Sequence, residues 1–344
     1  MPNASIVDFG VSNMSAPSRS GRVCPLRYRH SPESVDRPPQ IRAHTAYVIG
    51  GLYGNREALD TILAMAEQER QGGADVTLIF NGDFHWLNVG PEDFVHVSET
   101  VLRYAATSGN AEAELVAEDT EAGCGCAYPE YVSEAVVARS NAMMTCLRRT
   151  AVAFPELRHQ LGDLPMTLTV EIGGERIAIL HGDPEALAGW SLAVEAMPPE
   201  GTTPAQRIHD YFRSAGARVF ACTHTGLPHA QRFVVDGRAH LVINNGAAGM
   251  PNFAAHRFGV ITRISADQRI PEASLYGCSL GGLRIDALPV HYDHEAWLRR
   301  FLRDWPEGSP AHLSYYERLI AGPSFSLRRA AREGLELYAG SRHA

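Results

Sequence analysis

The chain has 344 residues, of which 45% are hydrophobic and 20% charged, with a formal net charge of -8; this is an ordinary globular composition, able to bury a core. An acidic balance without a Lys/Arg cluster argues against a surface for duplex nucleic acid, because such affinity comes from neutralising phosphates. No apolar run approaches a membrane span, and the first residues lack a basic leader with an apolar segment, so a soluble, cytoplasmic protein is expected.

In chain order, residues 1–44 are rich in Ser, Pro and Arg and read as an N-terminal arm. At 46–60 a short apolar run ends at two glycines, passes Gly54-Asn55 and enters a helical segment, which reads as strand, tight turn and helix. VTLIF (76–80) reads as a buried strand. Helical spacing follows near 91–107 and again from about 130 to 153. TLTVEIGGERIAILHGD is a hairpin turning at Gly173-Gly174. Further strands are expected at VFACT (219–223), QRFVVDG (231–237), HLVINNG (240–246) and FGVITRI. Beyond residue 265 the pattern predicts helices near 294–303 and 325–339, in an extension packed on the domain that spans 45–264.

Six cysteines in a chain of this length do not make a disulfide framework. Cys124 and Cys126 stand in GCGC, with one intervening residue rather than the two of a zinc knuckle. The expectation is a glycine-rich loop whose thiols stay reduced.

Polar residues recur where strands end. VTLIF runs into Asn81-Gly82-Asp83, IAIL into His181-Gly182-Asp183, and VFAC into Thr223-His224-Thr225. In α/β sheets ligands bind beyond the carboxyl ends of strands, so Asp83, His181 and His224 are candidates to meet, with Asn110 of the Gly109-Asn110 turn as a fourth. Singly, each has an ordinary explanation, such as a turn or a local hydrogen bond.

Together these motifs resemble the calcineurin-like metallophosphoesterase superfamily, most closely its bacterial branch of the YfcE type. Gly82-Asp83 looks like the Gly-Asp motif, Gly109-Asn110 like the start of Gly-Asn-His-Asp/Glu, His181 like the isolated metal-binding His, and Thr223-His224-Thr225-Gly226 like Gly-His-x-His. The segment NNGAAGMPN at 244–252 is similar to Asn-Pro-Gly-Ser. The resemblance implies an α/β fold: a β-sandwich of two mixed sheets flanked by helices, here with an N-terminal arm and a C-terminal helical extension.

It also implies two metal sites, which fare differently. One draws on the positions of Gly51, Tyr53, Asp83 and Gly226, where three of four donors are missing; the other draws on Asp83, Asn110, His181 and His224, where all four survive. Such a mixed N/O set suits one divalent ion per chain, Mn, Fe or Zn. Ala111 replaces the family's catalytic His, leaving His85 as the candidate catalytic group; the same ring could instead serve a displaced second ion, aided by Tyr53 or His229. Trp86, Tyr53 and Asn55 are the candidate substrate contacts, Trp86 as a stacking surface. The resemblance implies a phosphoesterase acting through a reduced, mononuclear site on a small phosphomonoester or phosphodiester, a nucleotide among the candidates. The alternative is a catalytically silent binding or scaffold protein. A homo-oligomer is compatible with either.

Overall fold

The computed structural model describes residues 20–338. Residues 1–19 of the expected arm and 339–344 at the other end lie outside the described residues.

After two short 3₁₀ turns, the chain runs β1 (Ile41–Ala43), β2 (Thr45–Ile49), α1 (Arg56–Gln71), β3 (Val76–Asn81), α2 (Pro91–Val101), β4 (Ala105–Thr107), α3 (Asn110–Val116), α4 (Glu134–Ala151) and α5 (Pro155–Gly162). It continues with β5 (Thr167–Ile172), β6 (Glu175–Leu180), α6 (Ala205–Ala215), β7 (Val219–Cys222), β8 (His229–Val235), β9 (Arg238–Asn244) and β10 (Gly259–Ser265). The last part is β11 (Tyr276–Leu280), β12 (Leu283–Val290), α7 (His294–Asp304), α8 (Pro310–Ala321), α9 (Leu327–Ala330) and β13 (Glu336–Leu337).

These strands form two mixed sheets, β1-β5-β6-β7-β9-β8 and β13-β11-β12-β10-β2-β3-β4. Alternation along β2 shows why they stack. Ala46 and Val48 join the apolar layer between the sheets with Ile79, Val170, Ile179, Val219 and Ile243, while Tyr47 and Ile49 face the helices on the other side. A helical layer built on α1, α2, α4, α7 and α8 covers the second sheet, and α6 covers the first. The expected sandwich of two mixed sheets flanked by helices is the fold observed.

Differences from the sequence expectation lie where periodicity is ambiguous. The pattern read as helix to residue 107 ends at Val101, and β4 follows at Ala105–Thr107. Among the described residues of the segment expected as a helix over 325–339, only Leu327–Ala330 is helical, and Glu336–Leu337 instead pairs with β11. Residues beyond 265 also supply β11 and β12 to the second sheet. Among the described residues, no helix is long and apolar enough to cross a membrane.

Parallel pairing decides where the loops go. β2, β3 and β4 run parallel in one sheet, and β6, β7 and β9 run parallel in the other. Asn81, the last residue of β3, ties their carboxyl ends together: its Nδ2 donates to the carbonyls of Leu180 (2.8 Å) and Ala221 (3.3 Å), and its Oδ1 accepts from Thr107 Oγ1 (3.0 Å). Loops from both sheets therefore empty into one crevice.

Candidate metal centre

The loop after β3 turns through two consecutive left-handed residues, Gly82 (φ 74°) and Asp83 (φ 53°). A Cβ at position 82 would lie 2.5 Å from the Gly109 nitrogen and 2.6 Å from His181 Nδ1, so only glycine lets the three loops close up. Asp83 is held at this turn by its neighbours. Its Oδ1 accepts from the Ala111 N–H at 3.0 Å, which leaves Oδ2 directed at His181 Nε2, 3.4 Å away.

Each of the other three side chains is oriented by a bond on its far side. The His181 Nδ1–H donates to the Asn81 carbonyl (3.0 Å), so Nε2 carries the lone pair. The His224 Nε2–H donates to the Cys126 carbonyl (3.0 Å), so Nδ1 faces inward. Asn110 Nδ2 donates to the Cys124 carbonyl (3.0 Å), which turns Oδ1 toward the same point. His181 Nε2 then lies 3.2 Å from Asn110 Oδ1 and 3.3 Å from His224 Nδ1. Four acceptor atoms thus converge with no donor assigned between them, and such a set is satisfied only by a proton or a cation.

Asp83, His181 and His224 present ligand atoms within 4.8 Å of one another, a spacing that could hold a metal ion. Burial would raise the Asp83 pKa, but His181, with help from His224 and the Ala111 N–H, holds it below the ordinary carboxylate value. For His181 burial pulls the other way and Asp83 wins, drawing the imidazole pKa up. His224, desolvated and beside His181, is pushed down to about 4 and is neutral at physiological pH. An ionised carboxylate, an amide oxygen and two imidazole nitrogens are a donor set of the kind that binds Zn, Mn or Fe.

Other expected residues sit elsewhere. His85 was the candidate catalytic group, and the structure corrects this: its ring is fully buried, stacked on Phe94 at 4.3 Å, with Nδ1 accepting from Asn88 Nδ2 (3.0 Å) and Nε2 donating to Ser98 Oγ (2.9 Å). Burial lowers its pKa to about 3, so the ring is a neutral core side chain. Asn55 caps α1, accepting from the Ala58 N–H (2.9 Å) and donating to the Gly249 carbonyl (3.0 Å); with both ends used and no exposure, it does not face a substrate. Trp86 is buried and donates to Tyr315 Oη (2.8 Å), so it supports another side chain and offers no stacking face. His229 lies within β8, where its ring feels Arg332.

Tyr53 does border the cluster. Its N–H donates to the Asp83 carbonyl (3.2 Å), and its phenol, raised far above the ordinary value first by burial, feels Tyr315, Asp83 and Arg318. Cys124 and Cys126 are joined in a disulfide rather than kept as thiols, which corrects the reduced loop expected. The left-handed Gly123 and Gly125 bend GCGC until the two Cα atoms stand 5.4 Å apart.

Sequence reasoning passed over Glu112. Its carboxylate accepts the N–H groups of Asp83 (2.8 Å), Gly109 (3.0 Å) and His85 (3.1 Å), bolting two loops together. Burial and the neighbouring Asp83 push its pKa up to about 7. The signal was present in Gly-Asn-x-Glu, where the acidic residue matches the last position of the family motif. Trp190, edge-on to His224 at 5.4 Å and flanked by Tyr128 and Tyr131, was also missed; nothing in its local sequence marks it.

No protein-family model and no curated protein matches the sequence. Among solved structures, the chain is similar to a hypothetical protein from Pyrococcus horikoshii OT3 (17% identity, 82% of this chain and 99% of that one, TM-score 0.54). It is also similar to a metallophosphoesterase from Sphaerobacter thermophilus (18% identity, 82% and 100% covered, TM-score 0.50). A third likeness is to the YfcE phosphoesterase from E. coli (16% identity, 72% and 100% covered, TM-score 0.32). The second of these likenesses identifies the fold as that of a metallophosphoesterase.

Proposed function

We propose that this chain, which has the metallophosphoesterase fold, is a metal-dependent phosphoesterase that hydrolyses a small phosphomonoester or phosphodiester through a mononuclear site. The observation that supports this reading is the convergence of Asp83 Oδ2, Asn110 Oδ1, His181 Nε2 and His224 Nδ1, each aimed inward by a bond on its outer side. A divalent ion held there supplies Lewis acidity toward a phosphoryl oxygen and toward water.

The chain's own groups do the rest. Outward bonds to the carbonyls of Asn81, Cys124 and Cys126 keep the donors aligned without substrate, so little reorganisation is needed on binding. Trp190, half-buried beside His224, with the exposed ring of Tyr131, gives the cleft an apolar wall against which a ring-bearing phosphate ester, such as a nucleotide, packs.

The test is to load the purified full chain with Mn, Fe or Zn, measure metal per chain, and assay aryl phosphates and a nucleotide panel. About one ion per chain and metal-dependent turnover that disappears in Asp83→Ala are expected. Stoichiometric metal without hydrolysis of any ester would remove the enzymatic reading.

A further inference from the structure

In the two-metal pattern, positions 51, 53 and 226 bring ligands to a second cation beside Asp83. Here that volume is filled. A Cβ on Gly51 would lie 2.6 Å from Cε1 and Cζ of Tyr53, so the phenol ring occupies the space a side chain at 51 would need. Gly226 is left-handed (φ 63°), and a Cβ there would come 2.8 Å from Tyr53 Oη and 3.9 Å from Arg318 Nη1. One phenol oxygen and one guanidinium therefore stand together at the place of the missing ligands.

Arg318 reaches this point from α8. Its Nε donates to the Pro251 carbonyl (2.9 Å) and its Nη2 to the Gly226 carbonyl (2.9 Å), which fixes the plane of the guanidinium. No ion pair involves Arg318 among the described residues, so its charge is uncompensated by any carboxylate. The Tyr53 residue is only 7% exposed, but its hydroxyl makes no hydrogen bond among the described residues and is not among the buried unpartnered atoms, so the oxygen opens onto the cleft. Tyr315, which accepts from Trp86 at 2.8 Å, keeps its own hydroxyl proton for a further acceptor. A fixed unpaired cation beside an accessible O–H that is free to donate is an oxyanion receptor.

We propose that Arg318 and Tyr53 form a phosphoryl-oxygen subsite beside Asp83, His181 and His224, with the guanidinium supplying the positive charge that a second metal ion supplies in a two-metal site. Tyr53 donates its hydroxyl hydrogen to one phosphoryl oxygen, and Arg318 Nη1 donates to the same oxygen or its neighbour. The ligand class, a phosphate ester or inorganic phosphate, rests on the phosphoesterase reading; the arrangement of donors does not.

Titration calorimetry of the full chain with inorganic phosphate, metal-free and Mn-loaded, tests this. Arg318→Gln is expected to weaken phosphate binding on the order of tenfold or more, and Tyr53→Phe by roughly three- to tenfold, as for loss of a charged and of a neutral hydrogen bond. Arg318→Lys should recover part of the loss, and metal content should match the parent in all three. Arg318 also holds two carbonyls, so if Arg318→Gln unfolds, Tyr53→Phe decides, since it removes one oxygen atom. Phosphate affinity unchanged in Tyr53→Phe, or no phosphate binding by the parent, overturns the subsite. Turnover that is indifferent to Arg318→Gln would leave the phosphoesterase standing and sink the subsite. Phosphate binding that depends on Arg318 in a protein that hydrolyses nothing would do the reverse.

Discussion

Glu112 carries no chemistry of its own at the centre, yet three buried N–H groups depend on it. In Glu112→Gln the amide keeps one acceptor oxygen and turns an NH₂ against the remaining donors. The expected cost is about 1–3 kcal/mol of stability, and roughly a 10- to 100-fold loss of metal affinity, as for other groups that orient ligands from behind. Urea denaturation and metal titration measure the two effects; parent-like values in both would show that the loops do not rely on this carboxylate. At the same scale, the residue identities of Asp83, His181, His224 and Asn110 were legible because each follows a strand or turn in a recognisable order. The burial of His85 was not. Its fate depends on Phe94 and Ser98 of α2, thirteen or fewer positions away in sequence but meaningful only once α2 folds back over the loop.

Among the elements, the GCGC loop is the one whose role inverted between sequence and structure. It contributes backbone carbonyls, not sulfur: those of Cys124 and Cys126 orient Asn110 and His224, and that of Cys126 also accepts from Trp190 Nε1 at 2.9 Å. Closing a loop of three residues restrains few unfolded conformations, so the disulfide is worth no more than about 1.6 kcal/mol in the chain-entropy account. The double change Cys124→Ser with Cys126→Ser is expected to cost less than ~2 kcal/mol while metal content stays at the parent level. A protein that loses its metal on this change would instead show that the sulfurs matter to the site. β12 illustrates a different blind spot. LRIDALPV carries Arg284 and Asp286 and does not read as a buried strand, yet every residue of it is buried, because those two charges pair with each other at 2.7 Å. Local pattern cannot show that a charge will be neutralised inside a sheet.

On the scale of the whole molecule, acid should weaken the fold through its buried histidines. His229, with both ring nitrogens unpartnered, is held down to about 3 by burial and then by Arg332. His85 is held down to about 3 by burial alone. In the unfolded chain such rings protonate near 6.5, so between there and about 3 the unfolded state binds more protons than the folded one. This contribution is fully kept above pH 6.5 and is lost as pH falls through the window. His229→Leu removes one of the two rings and with it at most a backbone contact to Leu227. Denaturation at pH 7.5 should find it as stable as the parent or more so, and at pH 5 more stable by about 2 kcal/mol. Equal pH slopes for variant and parent would mean that the ring is already satisfied or charged.

The sequence by itself determined the individual strands and the order in which polar residues leave them, because β-branched runs, glycine turns and strand-end motifs are local properties of the chain; the sandwich was what the resemblance carried by those motifs implied. The same resemblance implied that three of the four ligand positions of a second metal site were missing. Only the tertiary structure decided what stands in their place, since Tyr53 and Arg318 are 265 positions apart in the chain and meet through the packing of α8 beside the loop after β2. Which side chains point into the crevice, and which are spent in the core, is set by contacts between elements that no local pattern records.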